Sequence, residues 1–95
     1  MDYTIEFSKL AELDIVNIFE HISKDSLERA ADFVGYMQSE IQKLTNSPQK
    51  CREYNGKRKE LSGCRILVIK NYNVYYTIIN NKVYIIQILH SAQNQ

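Results

Sequence analysis

Residues 65–90, RILVIKNYNVYYTIINNKVYIIQILH, are the stretch of this 95-residue sequence that decides its fold. They contain three runs rich in Val, Ile, Tyr and Thr, at 65–69, 74–79 and 83–89, and these residue types are enriched in β-strands. The segments between the runs are rich in Asn, which tolerates the positive φ of tight hairpin turns. The stretch is therefore predicted to form a β-meander, in which consecutive strands pair antiparallel.

Two amphipathic helices are predicted before the meander, because apolar residues recur there at helical spacing. Ser8 can cap the first helix. Its apolar stripe consists of Ala11, Ile15, Ile18, Phe19 and Ile22. After a break at residues 23–26, Asp25 and Glu28 resemble a capping box for the second helix. The second stripe consists of Leu27, Ala30, Ala31, Val34, Met37, Ile41 and Leu44. Pro48 marks the end of this helix, and two helices joined by a few residues form an antiparallel hairpin.

A short strand is predicted before the first helix, because Tyr3, Ile5 and Phe7 alternate with polar residues. The element order is then β-α-α-β-β-β, which predicts an α+β fold: a helical hairpin packed on one face of a small, mainly antiparallel, four-stranded sheet. Residues 1–95 are long enough for one core and too short for two, so we expect a single domain. The residues expected in the core are Ile15, Phe19, Val34, Met37 and Ile41.

The charge of the chain is divided between two regions. Residues 1–49 hold four Lys or Arg against nine Asp or Glu, a net charge of −5. Residues 50–70, which we call the basic segment, hold seven against two, a net charge of +5. Such a segment raises the local potential where an anionic partner would dock, but it is equally typical of a solvated loop. Charge alone leaves these two interpretations open.

The sequence also limits location and cofactors. It contains no run of about 18 apolar residues and no secretory signal, so we expect a cytoplasmic protein without membrane contact. Cys51 and Cys64 are then expected to be reduced thiols. Together with His21 and His90 they lack the paired spacing of zinc ligands, so we predict neither a metal nor a cofactor.

The order of elements, together with several local sequences, resembles the RelE/ParE superfamily, the toxin components of bacterial type II toxin–antitoxin systems. The local features are Arg65 in the second strand, Asn-Tyr-Asn-Val-Tyr-Tyr-Thr-Ile at 71–78, and Val-Tyr-Ile-Ile-Gln-Ile-Leu-His at 83–90. Asp14, early in the first helix, and Pro48 also lie at the family's usual places. The resemblance covers nearly the whole chain. It implies a toxin that is neutralised by a cognate antitoxin, whose flexible segment wraps the toxin and folds upon it.

The superfamily has two branches with different targets. ParE-like members poison DNA gyrase and are not nucleases, whereas RelE-like members cleave mRNA on the ribosome. Two long helices and the Asn-Tyr-x-Val-x-Tyr strand favour the ParE-like branch, so the resemblance implies inhibition of gyrase first. ParE-like chains often place an Arg shortly after the terminal His, and residues 91–95 contain none. Ribosome-dependent mRNA cleavage is therefore kept as the alternative.

Each branch makes different use of the same residues. RNA cleavage without a metal needs a base, an acid and cations beside the phosphate, and His90, Arg65 and Glu60 are the candidates if the protein is a nuclease. A structural role for His90 at the end of a strand is equally open. The residues predicted to bind the target or the antitoxin are Lys57, Arg58, Lys59, Arg65 and Lys70. Alternation places Tyr75 and Tyr76 on opposite faces of their strand, which favours sheet packing over base stacking.

Overall fold

The computed structural model describes residues 2–93 and confirms the predicted α+β architecture. The regular elements are β1 (Thr4–Phe7), α1 (Lys9–Ser23), α2 (Leu27–Gln42), β2 (Arg65–Ile69), β3 (Tyr72–Ile79) and β4 (Lys82–His90). Short 3-10 turns occur at Lys43–Thr45, Pro48–Lys50, Lys59–Leu61 and Ser91–Gln93. Within residues 2–93, neither helix is long and apolar enough to cross a membrane.

The helix starts are fixed by serine caps. The hydroxyl of Ser8 accepts a hydrogen bond from the Ala11 N–H at 2.9 Å, as predicted for α1. For α2, the predicted capping box at Asp25 is wrong, because the hydroxyl of Ser26 accepts from the Arg29 N–H at 3.1 Å. Asp25 instead stays in the turn after α1, where its N–H still bonds back to a carbonyl of that helix.

The sheet order is β1-β4-β3-β2. Strands β2, β3 and β4 form the predicted antiparallel meander, and β1 pairs parallel to β4, with Ile5 opposite Val83 and Phe7 opposite Ile85. The sequence left this last pairing open. Because β1 covers only residues 82–85 of β4, the second half of β4 faces helix α1 rather than another strand.

Each hairpin turn of the meander has two residues, and the first of them takes a positive φ. In the β3–β4 turn this residue is Asn80, with φ 57°, as the Asn-rich sequence led us to expect. In the β2–β3 turn it is Lys70, with φ 54°, rather than Asn71. The carbonyl of Asn71 accepts from the Ser91 N–H at 2.7 Å, so this turn is tied to the segment that follows β4.

The main core lies between the helices and the sheet. Its buried residues are Ala11, Ile18, Met37, Ile41, Leu44, Ile69, Val74, Tyr76, Val83, Ile85 and Ile88. Met37 and Ile41 are confirmed as core, and Ile15 is half-buried against it. Val34 and Phe19 are also only half-buried, so their assignment to the core is corrected. Phe19 lies one residue and about 100° around the helix from Ile18, beyond the face that meets the sheet.

A second, smaller core covers the other face of the sheet. It consists of Leu61, Cys64, Ile66 and Tyr75, with Tyr54 packed against it. The loop at 49–63, which the sequence indicated to be polar, therefore supplies the fully buried Leu61. A Cβ at position 56 would collide with the Tyr54 ring and hydroxyl, so any residue other than Gly would force Tyr54 to shift. The basic segment therefore contains a buried apolar side chain, Leu61, among its charged residues.

Candidate functional site

A β-bulge in β4 determines where His90 points. The register pairs Tyr75 with Gln87 but Tyr76 with Ile85, so Ile86 is an extra residue without a partner in β3. An extra residue reverses the alternation of side chains beyond it. As a result Ile85 and Ile88 both face the main core, and His90 follows Ile88 on the side of the helices. Ile86 itself packs against the second core.

Helix α1 is joined to β4 at this bulge. The N–H of Ser8 donates to the Ile85 carbonyl at 2.9 Å, and its hydroxyl donates to the Ile86 carbonyl at 2.7 Å. Further along the helix, the Asp14 carboxylate accepts from the Ile88 N–H at 2.9 Å. Burial raises the pKa of Asp14, and the hydrogen bond from Ile88 opposes that rise. Three bonds to neighbouring parts of β4 therefore fix α1 against the strand.

A cavity of about 430 Å³ lies between α1 and the end of β4, and we call it the α1–β4 cavity. It is lined by Asp14, Asn17, Ile18, His21, Tyr72, Ile88, Leu89 and His90. The His90 ring meets the Tyr72 ring edge-on at 5.2 Å between centroids, and its Nδ1 accepts from the Ala92 N–H at 3.1 Å. Of the lining residues, sequence reasoning proposed only His90 for the site. The spacing of Asp14, Asn17 and His21 on one face of α1 was the signal available for the others.

Arg65 lies at the start of β2, where its guanidinium holds the preceding loop. Nη1 donates to the carbonyl oxygens of Gln49 and Cys51, at 3.2 and 2.6 Å. Nη2 lies 3.6 Å from the carboxylate of Glu53, and only 26% of the Arg65 side chain is exposed. The Arg65 guanidinium is thus only partly exposed. The main contacts of Arg65 are with its own loop.

The other charged residues of the predicted site are spread over two places. Near the start of β2, Arg58 pairs with Glu60 at 2.9 Å, while Lys57 and Lys59 are exposed and form no ion pair with another residue of 2–93. The backbone N–H of Glu60 and then the Arg58 side chain lower the pKa of the Glu60 carboxylate, which makes it a weaker proton acceptor than an ordinary glutamate. Lys70 lies in the turn after β2, with its Nζ 5.5 Å from the centre of the Tyr36 ring.

The structure does not bring the candidate nuclease residues together. Arg65 pairs with Tyr76 on one side of β3, and His90 pairs with Tyr72 on the other. Four residues along a strand and two strand spacings across the sheet put the Arg65 and His90 Cα atoms about 16 Å apart. The buried Val74 lies between them. The Arg65 guanidinium is bonded to its own loop, so the two side chains are not arranged around one phosphate position.

No metal site was found in the part of the chain that the structure describes. No group of three or more His, Cys, Asp or Glu within residues 2–93 is placed to hold a metal ion. Both cysteines are free thiols. Burial raises the pKa of the Cys64 thiol, which disfavours the nucleophilic thiolate. Tyr75 and Tyr76 are fully buried in different cores, as their predicted packing role requires.

A helical hairpin on this four-stranded sheet is the fold of the RelE/ParE toxins. The chain belongs to the family of ParE toxins of type II toxin–antitoxin systems, parDE, whose model matches residues 5–95. No curated protein matches the sequence. The family match confirms the resemblance that the strand sequences indicated and makes this protein a type II toxin.

Solved structures share the fold at low sequence identity. A chain of the chromosomal ParDE toxin–antitoxin system from P. aeruginosa superposes with a TM-score of 0.77 at 14% identity, covering 93% of this chain and 95% of that one. The E. coli toxin RelE, as a double arginine-to-alanine mutant in the free state, gives 0.63 at 15% identity, covering 98% and 87%. The RelBE2 toxin–antitoxin complex from Mycobacterium tuberculosis gives 0.58 at 22% identity, covering 95% and 99%.

Proposed function

We propose that this toxin acts by inhibiting DNA gyrase in the cytoplasm and that a cognate antitoxin neutralises it. The main support for this target is that Arg65 and His90 lie about 16 Å apart. A nuclease needs its cations and its proton carrier at one phosphate, so this separation favours gyrase over mRNA as the target. The low pKa of Glu60 weakens the third candidate of a nuclease site. Membership of the ParE toxin family supports the same choice.

The antitoxin partner is supported by the family and by the surface of the toxin. Two of the similar structures are described as toxin–antitoxin systems or complexes. The exposed Lys57 and Lys59 suit an acidic stretch of such a partner, because opposite charges steer association. Helix α1 adds an outward apolar stripe of Leu10, Leu13 and Val16, which are 47%, 55% and 49% exposed. A flexible segment that folds on the toxin would bury these side chains.

The experiment that tests this proposal separates the two branches inside cells. The toxin is induced from a tight promoter, and both an SOS reporter and the 5′ ends of mRNA are followed. We expect SOS induction with intact transcripts, because a gyrase poison damages DNA and does not cut RNA. Codon-positioned mRNA cuts without SOS induction would establish the alternative, ribosome-dependent mRNA cleavage. Co-expression of the neighbouring reading frame serves as control, since a cognate antitoxin should restore growth.

A further inference from the structure

We propose that the α1–β4 cavity binds a cationic side chain, specifically the guanidinium of an arginine that a protein partner presents. The ligand chemistry follows from the residues of the cavity. Only the identity of the partner rests on the proposed function, in which an antitoxin or gyrase would carry the arginine.

The charge of the cavity favours a cation. Among the lining residues that the structure describes, Asp14 carries the only formal charge when the two histidines are neutral. Its Oδ2 accepts from the Ile88 N–H, while Oδ1 receives no hydrogen bond from a residue within 2–93. A half-buried carboxylate with an open oxygen gains most from a ligand that brings both a positive charge and N–H donors. A phosphate would meet the same carboxylate and be repelled.

The remaining lining residues suit a guanidinium on an apolar stem. Tyr72 and His90 supply aromatic rings, on which a planar guanidinium stacks, and the Asn17 amide supplies a further acceptor. Ile18, Ile88 and Leu89 offer apolar contact for the methylene groups. The volume of about 430 Å³ is also within the usual range for binding pockets.

The walls of the cavity are held in place before any ligand arrives. On one side, α1 is bonded to β4 through Ser8 and Asp14. On the other, the Tyr72 ring contacts the rings of Phe33 and His90, with centroid distances of 5.6 and 5.2 Å. The bulge at Ile86 aims His90 at the helix side. Binding therefore requires little ordering of the protein, which favours affinity for even a small ligand.

The test is a titration of the purified ¹⁵N-labelled protein with N-acetyl-arginine amide, followed by ¹H–¹⁵N NMR. The neutral isostere N-acetyl-citrulline amide is the matched control ligand. We expect the arginine derivative to shift the backbone signals of Asn17, Ile88 and His90, and the citrulline derivative to leave them in place. Asp14→Asn keeps an acceptor for the Ile88 N–H but removes the charge, so it should weaken binding about tenfold or more. Asp32→Asn, on the exposed surface of α2, should bind as the parent does.

Three outcomes would overturn the inference. They are equal shifts with citrulline, unchanged affinity in Asp14→Asn, or shifts of the same signals by adenosine and not by the arginine derivative, which would indicate a nucleobase site. The titration does not depend on toxicity. A cavity that binds arginine in a protein without effect on gyrase would contradict the proposed target alone, and gyrase inhibition without arginine binding would contradict the cavity alone.

Discussion

The carboxylate of Asp14 accepts a hydrogen bond from the backbone N–H of Ile88 at 2.9 Å, and so a helix side chain closes the edge of a strand. Strand β1 pairs only with the first half of β4, so the second half would otherwise leave edge amides unpaired. Asp14 takes the place of a strand at this point. Because a single side chain fills less space than a strand, the α1–β4 cavity remains beside it.

Replacement of Asp14 by Asn should leave the protein at least as stable at pH 7. Burial raises the pKa of Asp14, so its contribution to stability is fully present below the pKa of the unfolded chain, about 3.9, and is lost as pH rises through the folded pKa. Asn keeps the acceptor for Ile88 and carries no charge at any pH. We expect the Tm advantage of Asp14→Asn to shrink as pH falls from about 7 to about 4 in circular-dichroism melts. An advantage that grows with acidification would show that the pKa is lowered.

Substitution of two helical residues by Ala should show which of their side chains is buried in the core. Ile41 is 1% exposed, and Ile41→Ala should cost about 2–5 kcal/mol in the free energy of unfolding. Phe19 is only half-buried, so Phe19→Ala should cost less although it removes more atoms. Urea denaturation of both variants gives the comparison. An equal or larger loss at Phe19 would mean that this face of α1 is covered.

Loss of the Arg65 guanidinium should loosen its loop. Arg65→Ala leaves the carbonyls of Gln49 and Cys51 without their donor, which should cost about 1–3 kcal/mol and speed amide exchange at residues 49–53. Arg58→Ala is the matched control, since it removes one partly exposed ion pair that contributes at most about 1 kcal/mol. Parent-like exchange and stability in Arg65→Ala would instead leave Arg65 as a residue for binding alone.

Substitution of His90 by Gln should retain most of the toxicity. A nuclease that used His90 as acid or base would lose about 10²–10⁴-fold in rate, whereas a gyrase poison transfers no proton. Gln preserves size and can still accept the Ala92 N–H that Nδ1 of His90 binds. The measurement is growth inhibition at matched expression. Complete loss of toxicity with an unchanged Tm would favour mRNA cleavage over gyrase inhibition.

The sequence predicted the elements well because their signals are periodic. The helical stripes and the three β-runs gave the right order, layers and hairpins, and Met37 and Ile41 lie in the core as predicted. The start of α2 was harder to predict from the sequence. Asp25 and Ser26 are both good N-cap residues, and which of them caps the helix depends on packing. Residue types alone could likewise not decide whether Lys70 or Asn71 takes the positive φ.

The candidate site was harder to predict because it depends on one unpaired residue. In Ile85-Ile86-Gln87-Ile88 apolar side chains occur in both phases of the alternation, so nothing in the sequence marks Ile86 as a bulge. Without the bulge His90 would face away from Asp14 and His21. The contacts of Arg65 with backbone carbonyls were equally hard to predict. Every residue has a backbone carbonyl, so the residue types do not show which carbonyls will accept a hydrogen bond.

Inhibition of DNA gyrase can be measured in a supercoiling assay with purified components. Relaxed plasmid, gyrase and ATP are incubated with increasing amounts of toxin, and relaxation of the supercoiled form of the same plasmid by a type I topoisomerase serves as control. We expect supercoiling to fall, cleaved plasmid to accumulate, and the control reaction to be unaffected. Full supercoiling activity in the presence of excess folded toxin, together with cleavage of mRNA on purified ribosomes, would contradict the proposed target.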